Sequence, residues 1–363
     1  MDLREIAKQF KLQSENITYL ERYGEGHINT TYLLVVDNSK KYIFQKINNH
    51  IFPNVEQLMN NINLVLEHLK NYSSNLTNPD RQVMHIVRTK DNFLYYFDKD
   101  NDSYYRVYDF VTDSVALQTI TDASLFKESA IGFGKFALDL QSFDASKLYE
   151  VIPNFHNTKT RFEHFKETLR KDSENRAKTC KDEIAFVLSR EKYASLIVDK
   201  IKDGSVPLRV THNDTKLNNI LLDEKTLKSL CVIDLDTIMP GSLLYDFGDS
   251  IRFGCNPAGE NEKDLSKVIF NLDYFKAYVE GYLSQVGGVM TKDEVELLPY
   301  GAILMTYECG VRFLDDYLDG DHYFNIHYSD NNLIRARTQF KLVEEMEKLL
   351  PQMQEVVSAA IKK

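Results

Sequence analysis

The stretch Val210-Thr211-His212-Asn213-Asp214-Thr215-Lys216-Leu217-Asn218-Asn219-Ile220-Leu221-Leu222 decides how this chain is read. A polar turn, Asp223-Glu224-Lys225-Thr226, follows it, and then a second apolar run, Leu230-Cys231-Val232-Ile233-Asp234-Leu235-Asp236. Two apolar runs around one short turn read as a β-hairpin. A hairpin returns its second strand beside the start of its first. Asp234 is therefore expected near Asn219 and near the loop that carries Asp214, so that two carboxylates and an amide converge.

Phosphoryl transfer needs such a set. One carboxylate orients the attacking hydroxyl and accepts its proton, while a carboxylate and an amide oxygen hold Mg2+ against the phosphates of ATP. The spacing His212-x-Asp214-x4-Asn219 is that of a kinase catalytic loop, and the strand-borne Asp234 stands where the metal-binding aspartate follows such a loop. Asp236 is a further candidate, for the metal or for its surroundings, and Lys216 for a phosphate or for an ion pair on the loop. Asp246-Phe247-Gly248 spells a kinase metal motif as well, but it lies beyond the hairpin. Asp246 is read as structural, bonding loop backbone.

Working outward toward the N-terminus, Ile17–Leu20, Thr31–Val36 and Tyr42–Ile47 read as strands, and Leu58, Ile62, Val65 and Leu69 recur at helical spacing. Two more strands are expected around Val83–Val87 and Tyr104–Tyr108. Lys46, on the third strand, is a candidate for the cation that pairs with nucleotide phosphates. Glu56 and Glu67 are both available as its helix partner, and the sequence does not choose between them. Gly24 and Gly26 sit between two strands, which excludes a dinucleotide fingerprint, and no Lys-Ser/Thr follows, which excludes a P-loop. A turn over ATP phosphates fits them. Asp109 and Val111, just after the last strand, are expected to offer backbone groups to adenine. Beyond Ser114 the pattern is mostly helical, at 124–140, 159–178 and 182–202 and again after the hairpin, with Pro351 marking a break in the last helix. The fold class is α+β with two lobes of protein-kinase type. Residues 1–110 form a small antiparallel-sheet lobe that binds nucleotide. Residues 111–363 form a mainly helical lobe carrying the catalytic loop and the acceptor site, and ATP is expected between the lobes.

The chain has 363 residues, 43% of them apolar and 27% charged, enough for two cores. Its net charge of −10 argues against nucleic acid or an anionic membrane as partner. No run approaches the roughly 20 apolar residues of a membrane span. Charges break the first residues before any apolar signal core forms, and the four widely spaced cysteines suit buried thiols, so a cytoplasmic place is expected. Asp98-x-Asp100-x-Asp102 imitates a calcium loop, but Ser103 and Asp109 stand where Gly and Glu are required, and a hairpin turn is the better reading. His322 and His327 have no cysteine cluster beside them and are read as incidental.

Several stretches carry a family resemblance: Gly24-Glu-Gly-His-Ile-Asn-Thr-Thr-Tyr32, Thr211 to Asn219, Val232-Ile-Asp-Leu-Asp-Thr-Ile-Met-Pro-Gly241, Asp246-Phe-Gly-Asp-Ser-Ile-Arg-Phe-Gly254, and Glu308-Cys-Gly-Val-Arg312-Phe-Leu-Asp-Asp-Tyr317. The chain resembles the phosphotransferases that include aminoglycoside, choline and homoserine kinases. Within them it is most similar to the N-acetylhexosamine 1-kinases. The resemblance implies that Asp214 is the catalytic base and that Asn219 and Asp234 bind Mg2+. It also implies that the second lobe holds a sugar such as GlcNAc or GalNAc, with His27, Arg312, Tyr317 and Asp214 as contacts and Arg252 as a lesser one. The expected reaction places phosphate on the anomeric hydroxyl. The alternatives are another small alcohol as acceptor (homoserine, choline, an aminoglycoside, another sugar) and a catalytically inactive binding protein.

Overall fold

The computed structural model describes residues 2–24, 28–72 and 76–361. The chain begins with α1 (Leu3–Ala7), β1 (Ile17–Arg22), β2 (Thr30–Val36), β3 (Lys40–Ile47), α2 (Val55–Tyr72), α3 (Pro79–Gln82), β4 (Ile86–Val87), β5 (Tyr96–Asp98), β6 (Ser103–Asp109) and β7 (Ser114–Ala116). It continues with α4 (Ala123–Asp139), α5 (Thr158–Lys171), α6 (Lys181–Ser189), α7 (Glu191–Lys202), β8 (Arg209–Thr211), β9 (Ile220–Asp223), β10 (Ser229–Val232) and β11 (Met239–Gly241). It closes with α8 (Leu243–Gly254), α9 (Leu272–Val286), α10 (Lys292–Glu296), α11 (Leu298–Asp319) and α12 (Asn331–Ile361).

Two compact units share these elements. The first takes Met1–Val115, Ser142–Pro153 and Leu221–Pro240. Its sheet runs β1-β2-β3-β6-β4, with β5 also on β6, and every pairing is antiparallel. Strand alternation sends Leu34, Val36, Tyr42, Phe44, Tyr105 and Val107 to one face, where they bury Ile6 and Ala7 of α1 and Phe10. Arg106, at the opposite phase, reaches Met59 of α2 on the other face. Asn61 of α2 is fully buried. Its amide donates to the carbonyls of Tyr149 and Ile238 and accepts from the Tyr149 N–H, which ties three chain segments to one helix. The Asp98–Asp102 segment is the expected hairpin turn, between β5 and β6: Asp98 pairs with Ser103 and accepts from the Asn101 side chain.

β9 and β10 form the hairpin read from the sequence, and β7 pairs along β9. Its turn is an Asx-type turn in which the Asp223 carboxylate accepts the N–H groups of Lys225 and Thr226. Arg81 grips both the Asp223 carboxylate and the carbonyls of Thr112 and Asp113. The sequence placed these strands with the C-terminal lobe. Instead Leu221–Pro240 groups with the N-terminal unit, to whose chain Arg81 and the start of β7 belong.

The second unit comprises Ala116–Gln141, Asn154–Ile220 and Gly241–Lys363 and is mostly helical. α4 packs on α9, and α11 packs on both α8 and α12. The α8–α11 crossing is close because glycines meet there: a Cβ at Gly248 would collide with the Gly301 carbonyl. The expected 182–202 helix is two helices, interrupted at Arg190. The expected break at Pro351 does not occur. Pro351 lies inside the continuous 31-residue α12, exposed, while Met346, Met353 and Val357 bury on either side of it. That anchorage outweighs the roughly 3 kcal/mol that an interior proline costs. Among the described residues no helix is long and apolar enough to cross a membrane. All four cysteines are free.

Candidate active site

The loop after β8 is fixed by α8. The Asp246 carboxylate accepts the backbone N–H groups of His212 (2.8 Å) and Asn213 (2.7 Å). The carbonyl of Asp246 accepts from the Thr215 hydroxyl at 2.5 Å. One turn on, Asp249 accepts the Thr215 N–H at 3.1 Å. The Thr215 carbonyl accepts from Ser250, which in turn accepts from Tyr278. His212 is fully buried and edge-on to Phe133 and Phe136 of α4. Asn213 adopts a left-handed backbone conformation, φ 65°, which suits Asn better than most residues and turns the chain sharply before Asp214. Asp246 is thus the loop clamp that the sequence suggested, and Gly248 of the same tripeptide serves helix packing.

Asp214 itself keeps 28% of its side chain open. Lys216 lies 2.8 Å from one carboxylate oxygen. The Asn219 amide donates to the other oxygen at 2.9 Å and to the Asp214 carbonyl at 2.8 Å. Burial pushes the Asp214 carboxyl up, but Lys216 and the donated hydrogen bonds hold it below the ordinary range. An ionised carboxylate of this kind can accept a proton. Lys216 therefore forms the loop ion pair. With its nitrogen directed at Asp214, the amide oxygen of Asn219 is the end left for a cation.

In the first unit, Asp234 follows β10 in a left-handed conformation, φ 60°, and is exposed. Asp, like Asn, tolerates that region better than most residues, and the conformation turns the chain after β10. Asp236 is 4% exposed. Arg106 lies 2.6 Å from one of its oxygens, and the Asn29 amide donates to the other at 2.5 Å. Asp236 was a candidate metal ligand, yet both of its oxygens are engaged by the protein. Lys46 is on β3 as read, but the register sets it opposite Tyr105, on the Phe44 face. The α2 face at this level belongs to Gln45 and Arg106. No ion pair joins Lys46 to Glu56 or Glu67; Lys46 instead borders a depression of about 370 Å³ with Asn48, Asn101 and Asp102.

Gly24 has φ 73° with open space around it, so conformation rather than room calls for glycine. Gly26 and His27 lie outside the described residues. The Asp109 carboxylate is taken up by Lys40 (2.8 Å) and His85 (2.6 Å), and its N–H by the His85 carbonyl. The carbonyl of Val111 accepts from Ser114.

On α11, the Arg312 guanidinium lies 5.7, 5.6 and 5.4 Å from the ring centres of Phe155, Tyr323 and Phe324. The carboxylates that could have neutralised it are occupied elsewhere: Asp315 by His164, and Asp316 by the N–H groups of Tyr323 and Phe324. Arg161 also faces Phe155, and its charge is disfavoured by burial and by Arg312. Tyr317 does not join this group. Its hydroxyl meets Thr179 at 3.0 Å and its ring lies under Arg176. Five positions along a helix rotate a side chain by about 140°, so Arg312 and Tyr317 cannot share a face. Arg252 is likewise closed off, bound to Asp249 and Glu260.

Three groups escaped the sequence reading. Arg106 was visible as a lone cation among apolar strand residues, and Asn61 as a polar residue on the apolar stripe of α2. The third, a buried pair of His156 and Glu308, has no local signal. His156 Nδ1 lies 2.8 Å from Glu308, which also accepts from Thr158, and the imidazole lies tilted against the Tyr245 ring. Burial raises the Glu308 carboxyl, but His156, with Arg161 and Thr158, holds it at about 2.

Among the described residues no three His, Cys, Asp or Glu side chains form a ready-made metal cage. A magnesium-type cation needs none, since it takes one or two protein oxygens and completes its shell with phosphates and water. The amide oxygen of Asn219 and the carboxylate of the exposed Asp234 are donors of that hard-oxygen kind.

A family profile described as the phosphotransferase enzyme family matches residues 20–282. The fold is also that of several solved structures. A microcompartment-associated aminopropanol kinase aligns with a TM-score of 0.63 at 15% identity, covering 97% of each chain. An aminoglycoside phosphotransferase from Alicyclobacillus acidocaldarius has a TM-score of 0.63 at 12% identity, covering 99% of this chain and 97% of that one. An amicoumacin kinase solved with AMP-PNP and Ca2+ has a TM-score of 0.60 at 13% identity, covering 94% and 92%.

Proposed function

This chain belongs to the phosphotransferase enzyme family, and from that premise we propose that it is an ATP-dependent kinase placing phosphate on the anomeric hydroxyl of an N-acetylhexosamine. That it is a small-molecule kinase follows from the family; the acceptor is our reading. The observation that carries it is the wall made by Arg312, Arg161 and three aromatic rings. An ammonium acceptor such as choline wants vacant aromatic faces or carboxylates. Here a guanidinium already covers the faces of Phe155, Tyr323 and Phe324, and a second, Arg161, stands over Phe155 while it pairs with Glu308 at 3.7 Å. Such a wall repels a cation and donates well to hydroxyl and acetamide oxygens.

In the proposed reaction Asp214 accepts the proton of the anomeric hydroxyl as its oxygen bonds to the γ-phosphorus. The bond from that phosphorus to the bridging oxygen breaks, and ADP leaves. Lys216 and Asn219 hold the carboxylate ionised and aimed. Asn219 and Asp234 are the proposed ligands of Mg2+, which neutralises phosphate charge when bound; the amicoumacin kinase solved with AMP-PNP and Ca2+ supports a nucleotide with a divalent cation. Asp109 and Val111 are proposed at the adenine, the Gly24 turn at the phosphates, and His27 with Arg312 at the sugar. Position and charge neutralisation lower the barrier, without covalent catalysis.

The test is incubation with Mg-ATP and a panel of hexosamines, other sugars and amino alcohols, with the product phosphate located by NMR. A 1-phosphate of GlcNAc or GalNAc is expected. Phosphate on another oxygen, or preference for choline, homoserine or an aminoglycoside, overturns the acceptor assignment. The absence of turnover with every acceptor favours a binding protein.

A further inference from the structure

In a kinase-type sheet the cation of the nucleotide half is expected at Lys46, and the structure puts a different cation on the face that matters. β3 and β6 pair so that Gln45 lies opposite Arg106 and Lys46 opposite Tyr105. Lys46 therefore shares its face with Phe44 and Tyr105, whereas Arg106 shares the α2 face with Gln45. Arg106 is 1% exposed and touches three groups there. Its Nε donates to Gln45 at 2.9 Å, one Nη lies 3.8 Å from Met59 Sδ, and the same Nη lies 2.6 Å from Asp236. The other oxygen of Asp236 accepts from Asn29, and the Asn29 side-chain oxygen accepts the Asn48 N–H at 2.9 Å.

The result is one continuous chain of contacts, from β3 and β6 through Arg106 and Asp236 to Asn29. One end adjoins a proposed metal ligand: Asp236 sits in the 3-10 turn Leu235–Thr237, whose first flanking residue is Asp234. The other end, Asn29, lies immediately before β2. A buried guanidinium is costly to desolvate; here it bonds to β3 and to the turn after β10 at once.

We propose that Arg106, acting through Asp236 and Asn29, and not Lys46, is the positioning cation of the nucleotide half, holding Asp234 and the entry to β2 in register for a magnesium-bound nucleoside triphosphate. This rests on the kinase reading. It does not depend on which acceptor is used.

The experiment compares wild type with Lys46→Met, Arg106→Lys, Arg106→Met and Asn29→Ala, measuring Mg-ADP affinity by calorimetry, the Mg2+ dependence of that affinity, thermal midpoints, and separate KM values for ATP and acceptor. Groups that orient a metal ligand typically contribute 10–100-fold to metal affinity or activity. Asn29→Ala and Arg106→Met are expected to weaken Mg-ADP by about tenfold or more, with the acceptor KM unchanged. Arg106→Lys is expected to recover part of that loss, and Lys46→Met to stay within about threefold of wild type. Asn29 is half-buried, so Asn29→Ala remains decisive if the Arg106 variants do not fold. The proposal is overturned if Lys46→Met loses tenfold while Asn29→Ala binds as wild type, or if the Asn29→Ala loss is equal with and without Mg2+. A wild-type protein that binds no Mg-nucleotide would instead overturn the kinase reading itself.

Discussion

Asp246 on α8 and Arg312 on α11 belong to the same helical unit and face opposite circumstances. Asp246 is buried and accepts two backbone N–H groups of the loop after β8. Arg312 has aromatic neighbours and, among the described residues, no ion pair with a carboxylate. A charge whose hydrogen-bonding capacity is consumed by the fold shapes the site. A charge left uncompensated beside the site has capacity to spare for a ligand. The difference separates architecture from recognition, and it agrees with the reading of Asp246 as bonding loop backbone although Asp246-Phe247-Gly248 spells a metal motif.

Five substitutions or conditions can break that distinction. The largest effect is expected for the group that does the chemistry: Asp214→Asn should lower kcat by about 10³-fold or more, with Mg-ADP affinity within a few-fold of wild type. Retained turnover would mean that Asp214 is not the base. Asp246→Ala should cost about 3–5 kcal/mol, read as a fall in the thermal midpoint or in the denaturant midpoint, because two buried N–H groups lose their acceptor. A fall in activity without a loss of stability would return Asp246 to the catalytic set. Arg312→Ala should show the opposite pattern, raising the acceptor KM about 10–100-fold, a loss of roughly 1.4–2.8 kcal/mol, while stability and ATP KM stay put.

The fourth is a pH dependence. The Glu308 carboxyl is held at about 2 against an ordinary 4.5. A depressed carboxylate contributes stability that is present above its unfolded pKa and is lost as pH falls through the folded value. Its contribution should therefore decline between about pH 4.5 and 2, and Glu308→Gln should flatten denaturant midpoints measured across that window. The smallest effect is expected for Tyr317→Phe. It removes the hydroxyl contact with Thr179, costs about 1 kcal/mol or less, and leaves the acceptor KM unchanged; a KM rise would restore Tyr317 to the acceptor site.

The sequence by itself determined the features that depend on local pattern. The hairpin at β9 and β10 follows from two apolar runs around an Asx turn, the antiparallel N-terminal sheet from alternation, and the His212 to Asn219 loop from spacing that only a few chemistries use. Tertiary structure decided what depends on direction and company. Lys46 was correctly placed on its strand, but only the pairing with Tyr105 shows that it points away from α2, since a one-residue change of phase moves a side chain to the opposite face. Tyr317 was on the right helix, five positions from Arg312 and therefore on another side of it. The interruption expected at Pro351 depends on what anchors α12 beyond it. Asp236 read as a candidate for the metal or for its surroundings, and only the structure shows that Arg106, 130 residues earlier in the chain, holds it. Short-range pattern encodes which groups are present, and long-range packing determines which of them are already spent.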